Sequence, residues 1–467
     1  MFRLISMTAL SRNTSPRVQL FFIANLIKLF VFITSGLASA LSSQVLAVDT
    51  SIILILWLGI MMAITIPQTD IVLVTIERQL KPVFKFSVVI LAICISVEVL
   101  AVSAIIGYSA ISHNELHPIA QPVVKAFKQE YDSSVLTIQA AEHLLSGKNP
   151  YAHANIITAF DASPEAYTKL TPLRTGAFAD SFPYPDQKEL QNVWHAAITN
   201  PDVIPPEIES RVNYPAGSFL LLAPFVALGI SDMRIILIIF TIPAIIYAAR
   251  RIPPGQRWIF VLGVLLSFEL FNLIFTFDSK VLCLPFMLAG WLMAPRRPWL
   301  SAILMGIAAA TKQTAWFLLP FYIILMWRTT GIRPAIRSAI TVGAVFLIIN
   351  APFIIIDPHL WLSSVMAPMT ASLFPLGNGL ISLVSSGIIH LDSPIIFTSL
   401  EVIALIGCLL WYVRYASRYP HAGLILAIIP LFFAWRSMLS YFCLMDIILL
   451  ASILTPKLST HSVTEAV

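Results

Sequence analysis

Apolar runs of roughly twenty residues recur along almost the whole chain, and this recurrence limits more than any other feature how it can fold. A helix needs about twenty mainly apolar residues to cross a bilayer. With 58% hydrophobic residues, 11% charged residues and a mean hydropathy of +0.85, the chain has more apolar surface than a water-soluble fold can bury. We therefore predict an all-α polytopic membrane protein with about 12–13 transmembrane helices and a long, mixed extracytoplasmic loop. The runs lie at 18–41, 51–68, 86–111, 214–229, 232–249, 258–276, 281–294, 299–311, 314–327, 338–356, 395–413, 421–434 and 438–455, with a weaker one at 377–391.

Basic residues cluster between the apolar runs, which is the pattern of cytoplasmic loops. The clusters that we place in the cytoplasm are the N-terminal arginines, Arg78/Lys81/Lys85, Arg250/Arg251/Arg257, Arg296/Arg297, Arg328/Arg333/Arg337 and Arg414/Arg418. Segment 112–213, which contains 12 of the 24 acidic residues, then faces outward as a folded polar loop. The predicted division is an N-terminal transmembrane part (1–111), the extracytoplasmic loop (112–213), a central transmembrane module (214–356) and a C-terminal transmembrane region (357–467).

The two runs between 214 and 249 conflict with this orientation, because two crossings would return the chain to the outside just before Arg250 and Arg251. One of the two runs must be re-entrant or lie on the membrane surface, and the same alternative holds for 377–391. The two short runs on either side of Lys312 are compatible with two crossings or with a hairpin that dips into the membrane.

The stretch from Tyr131 to Tyr151, YDSSVLTIQAAEHLLSGKNPY, stands out in the polar loop. Helical spacing separates a polar face from an apolar face. The polar face holds Asp132, Gln139 and His143, and the apolar face holds Val135, Ile138, Ala141 and Leu145. We predict an amphipathic helix that lies on an apolar surface, with Gly147 as its stop and Asn149-Pro150 as a turn that directs Tyr151.

Several isolated charges lie at the outer ends of apolar runs, on the side of the loop, and charges at membrane depth tend to mark functional sites. They are Asp132, the pair Asp278/Lys280, Lys312 and Arg436. A carboxylate can act as a general base, and Lys or Arg can hold a phosphate leaving group. The set therefore suits a phosphate-bearing lipid and a hydroxyl group that is to be deprotonated.

Each of these residues also has a structural interpretation. Asp132 is a favoured type of helix N-cap, and Asp278 and Lys280 can neutralise each other between two helices. Lys312 can snorkel towards the headgroups, where Arg436 can also serve as an anchor. Tyr214, in NYPAGSFLLLAPF, fits the aromatic belt at a membrane interface.

Four stretches in order resemble the integral-membrane glycosyltransferases of the GT-C superfamily. They are Asp132 to Tyr151 ("D…A…L..G.NPY"), Asn213 to Pro224 ("YP…LLL.P"), Phe277 to Trp291 with its Asp, and Gly306 to Pro320 ("G.AA.TK…LLP"). The resemblance is greatest to the bacterial polyprenyl-phosphate-sugar-dependent type, including mannosyltransferase-like and aminoarabinose-transferase-like members. It covers roughly residues 130–320, and the order of the motifs is more specific than any one of them.

The resemblance implies an inverting transfer of a sugar from a polyprenyl-phosphate donor, with Asp132 as the general base and Lys312 as the matching basic residue. Asp278 matches an acid that often follows a Gly/His-containing stretch, although Thr276-Phe277 stands here. The expected substrate-binding residues are Lys312, Arg436, Asp278, Lys280, Tyr151, Tyr214 and Asn149. The sequence assigns no definite cofactor, and a divalent cation, Mg²⁺ or Mn²⁺, stays an open alternative.

The expected partners are the lipid-linked donor, membrane lipid and an acceptor that is a lipid, a glycan or a protein; nothing in the sequence suggests nucleic acid. The expected location is the plasma (inner) membrane, with the site on the outer, cell-envelope side. Two other functions stay open: a transporter or flippase of a lipid-linked substrate, with Glu98 and Glu269 relaying protons, and a non-catalytic assembly subunit of the same fold.

Overall fold

Helices account for most of the computed structural model, which describes residues 14–41, 44–111, 131–230, 232–276, 278–294 and 296–456. The α-helices are α1 (Pro16–Leu41), α2 (Gln44–Thr65), α3 (Thr69–Val74), α4 (Glu77–Ile111), α5 (Asp132–Leu145), α6 (Pro150–His153), α7 (Ile156–Ala159), α8 (Gln187–Thr199), α9 (Gly217–Leu220), α10 (Ala223–Ala227), α11 (Met233–Arg251), α12 (Arg257–Leu265), α13 (Phe268–Phe275), α14 (Leu284–Met293), α15 (Pro298–Thr311), α16 (Thr314–Thr330), α17 (Ile332–Ile356), α18 (Pro358–Val365), α19 (Ala367–Thr370), α20 (Ser382–Ser385), α21 (Pro394–Tyr415), α22 (Ala422–Leu426) and α23 (Ser440–Leu454). Short 3₁₀ helices occur at Pro164–Lys169, Gly176–Phe178, Pro254–Gln256, Ser279–Cys283 and Pro430–Phe433. Two strands, β1 (Leu376–Gly377) and β2 (Arg436–Ser437), pair in parallel. Arg3, Arg12, Phe277 and the first part of the predicted loop, 112–130, lie outside the described residues.

Six helices are long and apolar enough to cross a membrane, which confirms the prediction of an all-α polytopic membrane protein. They are Pro16–Leu37, Gln44–Thr65, Glu77–Leu100, Met233–Arg251, Ile332–Ile356 and Pro394–Tyr415. The pair α12 and α13, bent by 52°, would make a seventh span if it crosses as one unit. Within the described ranges, the predicted count of about 12–13 is therefore too high for helices of full length.

The remaining apolar runs form shorter helices because apolar composition does not reveal where a helix breaks. These are Gly217–Ala227, Ser279–Met293, Pro298–Thr311, Ala422–Phe433 and Ser440–Leu454. In one of them, Pro430 begins a 3₁₀ turn shortly after α22 ends, since a proline cannot donate the backbone hydrogen bond that continues a helix. In another, residues 217–227 extend for only about 16 Å, roughly half of a hydrocarbon core.

The conflict between residues 214 and 251 disappears with these lengths. Of the helices described between these positions, only α11 is long and apolar enough to cross a membrane, which agrees with a single crossing that ends at Arg250 and Arg251. The run 377–391 contains only the four-residue helix α20 among its described helices, so it does not cross as a helix. The expectation that each region holds a segment that does not span the membrane is confirmed.

The described part of the loop, from 131 to 213, is folded around its own apolar cluster. That cluster consists mainly of Val135, Leu136, Ile156, Ile157, Trp194 and Ile208. Helix α5 packs against α9 and α10, as predicted for an amphipathic helix on an apolar surface. The predicted faces are partly wrong, because Leu145 is exposed, whereas Gln139 is buried and bonds the backbone of Asn155.

The largest apolar core extends from Val18 in α1 to Leu454 in α23 and joins the two ends of the chain. Inside it, the ammonium group of Lys28 forms ion pairs with Glu269 of α13, at 3.2 Å, and with Asp446 of α23. The ring of Trp57 in α2 lies 5.2 Å from the same ammonium group. Lys28 thus connects α1 to α13 and α23.

The predicted division of the chain into four parts stays a prediction.

Candidate active site

Asp132 is the first residue of α5 and is partly buried. The N-cap position belongs to Tyr131, whose side chain makes no capping bond. One carboxylate oxygen of Asp132 accepts the backbone N–H of Ser133 at 2.6 Å, and the other accepts the hydroxyl of Thr171. The interpretation of Asp132 as the N-cap is therefore wrong, and its carboxylate is held from two sides.

The surroundings of Asp132 favour a stronger base than a free aspartate. Burial raises the pKa of its carboxyl above the usual range, while the Thr171 and Ser133 hydrogen bonds and the charges of Arg436 and Lys280 oppose that rise. A carboxylate with a raised pKa holds an abstracted proton more firmly. The balance suits a group that accepts a proton in the reaction.

Asp278 and Lys280 form a local ion pair in the turn that follows α13. Asp278 accepts the backbone N–H of Lys280 at 2.9 Å and its ammonium group at 2.9 Å. The ammonium also lies 5.4 Å from the centre of the Tyr441 ring. The predicted pairing between two helices is therefore a pairing within one turn, and it leaves Lys280 at the edge of the site.

Lys312 lies between α15 and α16 and is buried, with 3% of its surface exposed. Its ammonium group donates to the hydroxyl of Ser279 at 2.9 Å and lies 3.0 Å from the centre of the Tyr214 ring. These contacts hold the side chain inside the protein, so the snorkelling interpretation is wrong. The next residue, Gln313, donates to the carbonyls of Asn213 and Val365.

Arg436 reaches the site from the C-terminal region on β2. The strand pair depends on Gly377, whose φ is +131° and where a Cβ atom would overlap the Ser437 carbonyl. The guanidinium of Arg436 makes no hydrogen bond or ion pair with any residue in the described ranges, and its charge acts on Asp132 and Tyr184. Its donors are available to a ligand, which favours recognition over headgroup anchoring.

Tyr151 and Asn149 support the site from behind. The Asn149 side chain accepts the backbone N–H of Tyr151 at the start of α6, as the predicted turn requires. Tyr151 is buried, packs against the rings of Phe219 and Phe353, and donates its hydroxyl to the carbonyl of Tyr214 at 2.8 Å. Asn149 and Tyr151 therefore support the site indirectly, by holding the backbone of Tyr214. The ring of Tyr214 covers Lys312, so it does not belong to an aromatic belt at the membrane interface.

The described residues assemble no group of three or more His, Cys, Asp or Glu side chains that could hold a metal ion. Asp278 is engaged by Lys280, and the oxygens of Asp132 are engaged by Thr171 and Ser133. This donor set does not fit a divalent cation, and we assign no metal ligand.

The structure brings together the five charged residues that the sequence places at four separate points of the chain. It also adds residues that the sequence did not single out, namely Thr171, Ser279, Tyr131, Tyr184 and Tyr441. A signal existed for Tyr184, an aromatic residue between Pro183 and Pro185 in an otherwise polar loop. No sequence signal marks Thr171, which lies 39 positions from Asp132.

A family model described as glycosyltransferase family 87 matches residues 213–433. The match contains Tyr214, Asp278, Lys280 and Lys312, whereas Asp132 and Arg436 lie outside it. Comparisons with curated proteins and with solved structures gave no match. Residues 213–433 are therefore similar to glycosyltransferase family 87, a GT-C-type family of membrane glycosyltransferases, and this match agrees with the resemblance to the GT-C superfamily.

Proposed function

We propose that the protein is an inverting glycosyltransferase that moves a sugar from a polyprenyl-phosphate donor to an acceptor hydroxyl at the outer face of the plasma membrane. The family match supports a glycosyltransferase activity in general. The observation that carries the finer proposal is the position of the Asp132 carboxylate, whose pKa is raised, close to the charges of Lys280 and Arg436. These two residues come from distant segments of the chain. A base beside cations suits a reaction that removes a proton and releases a phosphate.

In the proposed reaction, Asp132 accepts the proton of the acceptor hydroxyl while the acceptor oxygen bonds to the anomeric carbon of the sugar. The bond from that carbon to the donor phosphate oxygen breaks, and its electron pair stays on the phosphate. The configuration at the anomeric carbon inverts because attack and departure take place on opposite faces. The polyprenyl phosphate leaves with one more negative charge than it had in the donor.

The cations differ in how well they can meet that charge. Arg436 has free donors and Lys280 lies at the edge of the site, with 16% of its side chain exposed. Lys312 is enclosed by Ser279 and Tyr214. We therefore assign direct contact with the phosphate to Arg436 and Lys280, and we assign to Lys312 the role of holding Ser279 and Tyr214 in place behind the site.

An apolar groove between α15, α16 and α17 supports a lipid-linked donor. It has a volume of about 360 Å³ and is lined by Ala309, Trp316, Leu319, Phe346 and Leu347, among others. Its walls are apolar, and Ala309 and Trp316 stand three and four residues from Lys312 along the chain. A polyprenyl chain in this groove would bring its phosphate towards the charged site.

The other two functions differ from this proposal in what happens to the donor. A transporter would use Glu269 to relay protons. In the structure, however, Glu269 forms an ion pair with Lys28, so its carboxylate already has a structural role. For an assembly subunit, the oriented carboxylate of Asp132 would have no use.

The test uses purified protein in liposomes, a polyprenyl phosphate carrying a radiolabelled sugar, and a cell-envelope extract as the source of acceptor. The proposal predicts that the label moves to the extract while an equal amount of polyprenyl phosphate appears. Label that crosses the bilayer on an intact donor would instead identify a transporter. An intact donor that stays on its own side would identify a non-catalytic subunit.

A further inference from the structure

Two tyrosines near Asp132 are partly open to solvent. Tyr131 is 38% exposed and Tyr184 is 37% exposed, high values for large side chains in a charged site. The other two tyrosines of the site have different tasks, because Tyr214 covers the ammonium group of Lys312 and Tyr441 lies against that of Lys280. Holding the cations therefore accounts for Tyr214 and Tyr441. It does not account for Tyr131, whose hydroxyl bonds to Thr276, or for Tyr184.

Tyr131 is fixed at the start of α5. Its carbonyl accepts the backbone N–H of Ser134 at 2.9 Å, which begins the helix directly beside the carboxylate of Asp132. Its ring extends towards the turn after α13, where burial raises the pKa of its hydroxyl and the nearby Asp278 raises it further. The ring thus bridges the proposed base and the Asp278–Lys280 pair.

Tyr184 approaches from the other side of the loop. It stands between Pro183 and Pro185, whose fixed φ angles limit how the backbone can move, and its ring lies 5.5 Å from that of Phe374. Burial raises the pKa of its hydroxyl, and the charge of Arg436 lowers it. No residue in the described ranges forms a hydrogen bond with this hydroxyl, so it is available to a ligand.

A phosphate is bound by cations and gains little from exposed aromatic rings. A sugar ring, in contrast, binds well to such rings. The C–H faces of a sugar stack on aromatic rings, and its hydroxyls bond to phenol groups, so a tyrosine offers both kinds of contact. Both carboxylates of the described site are already committed, Asp132 to the proton and Asp278 to Lys280. Neither is free to pair with the ammonium group of an amino sugar.

We infer that Tyr131 and Tyr184 form the sugar-binding part of the site and hold an uncharged sugar ring of the donor between the base Asp132 and the cation Arg436. This inference rests on the proposed function, because it names the residues that bind the sugar of the proposed donor. Stacking supplies the affinity, and the hydroxyl of Tyr184 bonds to a sugar hydroxyl.

The test compares the affinity of the full-length protein for two probes, polyprenyl phosphate and polyprenyl-phosphate hexose. The ratio of the two dissociation constants isolates the contribution of the sugar. Replacing both tyrosines by leucine, which keeps an apolar side chain against Phe374, should lower the preference for the sugar-bearing probe by about tenfold. The affinity for polyprenyl phosphate should stay within about twofold of wild type.

Two matched variants define the outcomes. The double Tyr131→Phe, Tyr184→Phe variant should keep most of the preference, because its rings still stack, and Tyr167→Ala in the same loop should keep all of it. If the leucine and phenylalanine variants show the same ratio as wild type, the inference is overturned. A wild-type protein that shows the predicted ratios but transfers no sugar would leave the inference standing and would refute the proposed activity instead.

Discussion

At the scale of single residues, the site depends on how the carboxylate of Asp132 is held. Its two oxygens have different partners, a first-turn N–H from Ser133 and the hydroxyl of Thr171. A hydrogen bond to the charged form of an acid favours that form. Thr171 therefore favours the ionised form of Asp132 against the effect of burial, and it holds one of the two carboxylate oxygens in place.

Replacing Thr171 by valine should shift the pH dependence of transfer. Loss of the hydroxyl raises the pKa of Asp132 further, and the base acts only when it is ionised. On acidification, the variant should therefore lose activity at a higher pH than the wild type does. The acid limb of its kcat/KM profile should lie about one pH unit higher. The Thr171→Ser control keeps the hydroxyl and should keep the wild-type profile, and an acid limb that coincides in all three proteins would rule out this role.

Some of these residues could be predicted from sequence because they differ in polarity from the residues around them. Asp132, Lys312 and Arg436 stand next to apolar runs, where an isolated charge is costly and noticeable. Thr171 and Tyr184 lie in a polar loop in which such residues are ordinary. Their contacts depend on how distant parts of the loop meet, and helical or strand periodicity carries no information about that.

At the scale of helices, the sequence predicts where apolar segments lie but not how long each helix is. The run 421–434 illustrates the limit, because its composition resembles a span although α22 ends at Leu426. Whether a charge inside a span has a partner is also invisible in the sequence. Lys28, Glu269 and Asp446 are separated by hundreds of positions and meet only in the folded protein.

The Lys28 cluster should contribute strongly to stability. Removing one member of a buried ion pair leaves an uncompensated charge, which costs about 3–5 kcal/mol. We therefore expect Lys28→Met to lower the thermal unfolding midpoint in detergent markedly. The triple variant Lys28→Met, Glu269→Gln, Asp446→Asn has no charge left to compensate and should recover much of the loss. A single Lys28→Met variant as stable as wild type would contradict the importance of the cluster.

At the scale of the whole molecule, a single crossing by α11 between the loop and Arg251 agrees with the length of that helix and with the basic pair at its end. The charged site then lies on the same side as the folded loop, opposite to Arg414 and Arg418. In the proposed topology, the positive-inside pattern assigns that side to the outside of the cytoplasm. The side of the membrane on which the site lies stays a prediction.

Cysteine labelling in intact cells should show the orientation. Lys148 and Ser417 are both exposed, and they lie on opposite sides in the proposed topology. A membrane-impermeant maleimide should label Lys148→Cys in intact cells, and it should label Ser417→Cys only after permeabilisation. Of the native cysteines, three are buried and Cys94 is partly buried, so the wild-type protein measures the background. The reverse pattern of labelling would place the site in the cytoplasm.

The central claim is that Asp132 is the general base of a sugar transfer, and the turnover of Asp132→Asn at saturating donor tests it most directly. Asparagine keeps the size of the side chain but cannot accept the proton, and general-base catalysis contributes about 10²–10⁴-fold. The account predicts a loss of turnover of that size, with the affinity for the donor and the unfolding midpoint close to wild type. Turnover near the wild-type rate in this variant would contradict the account.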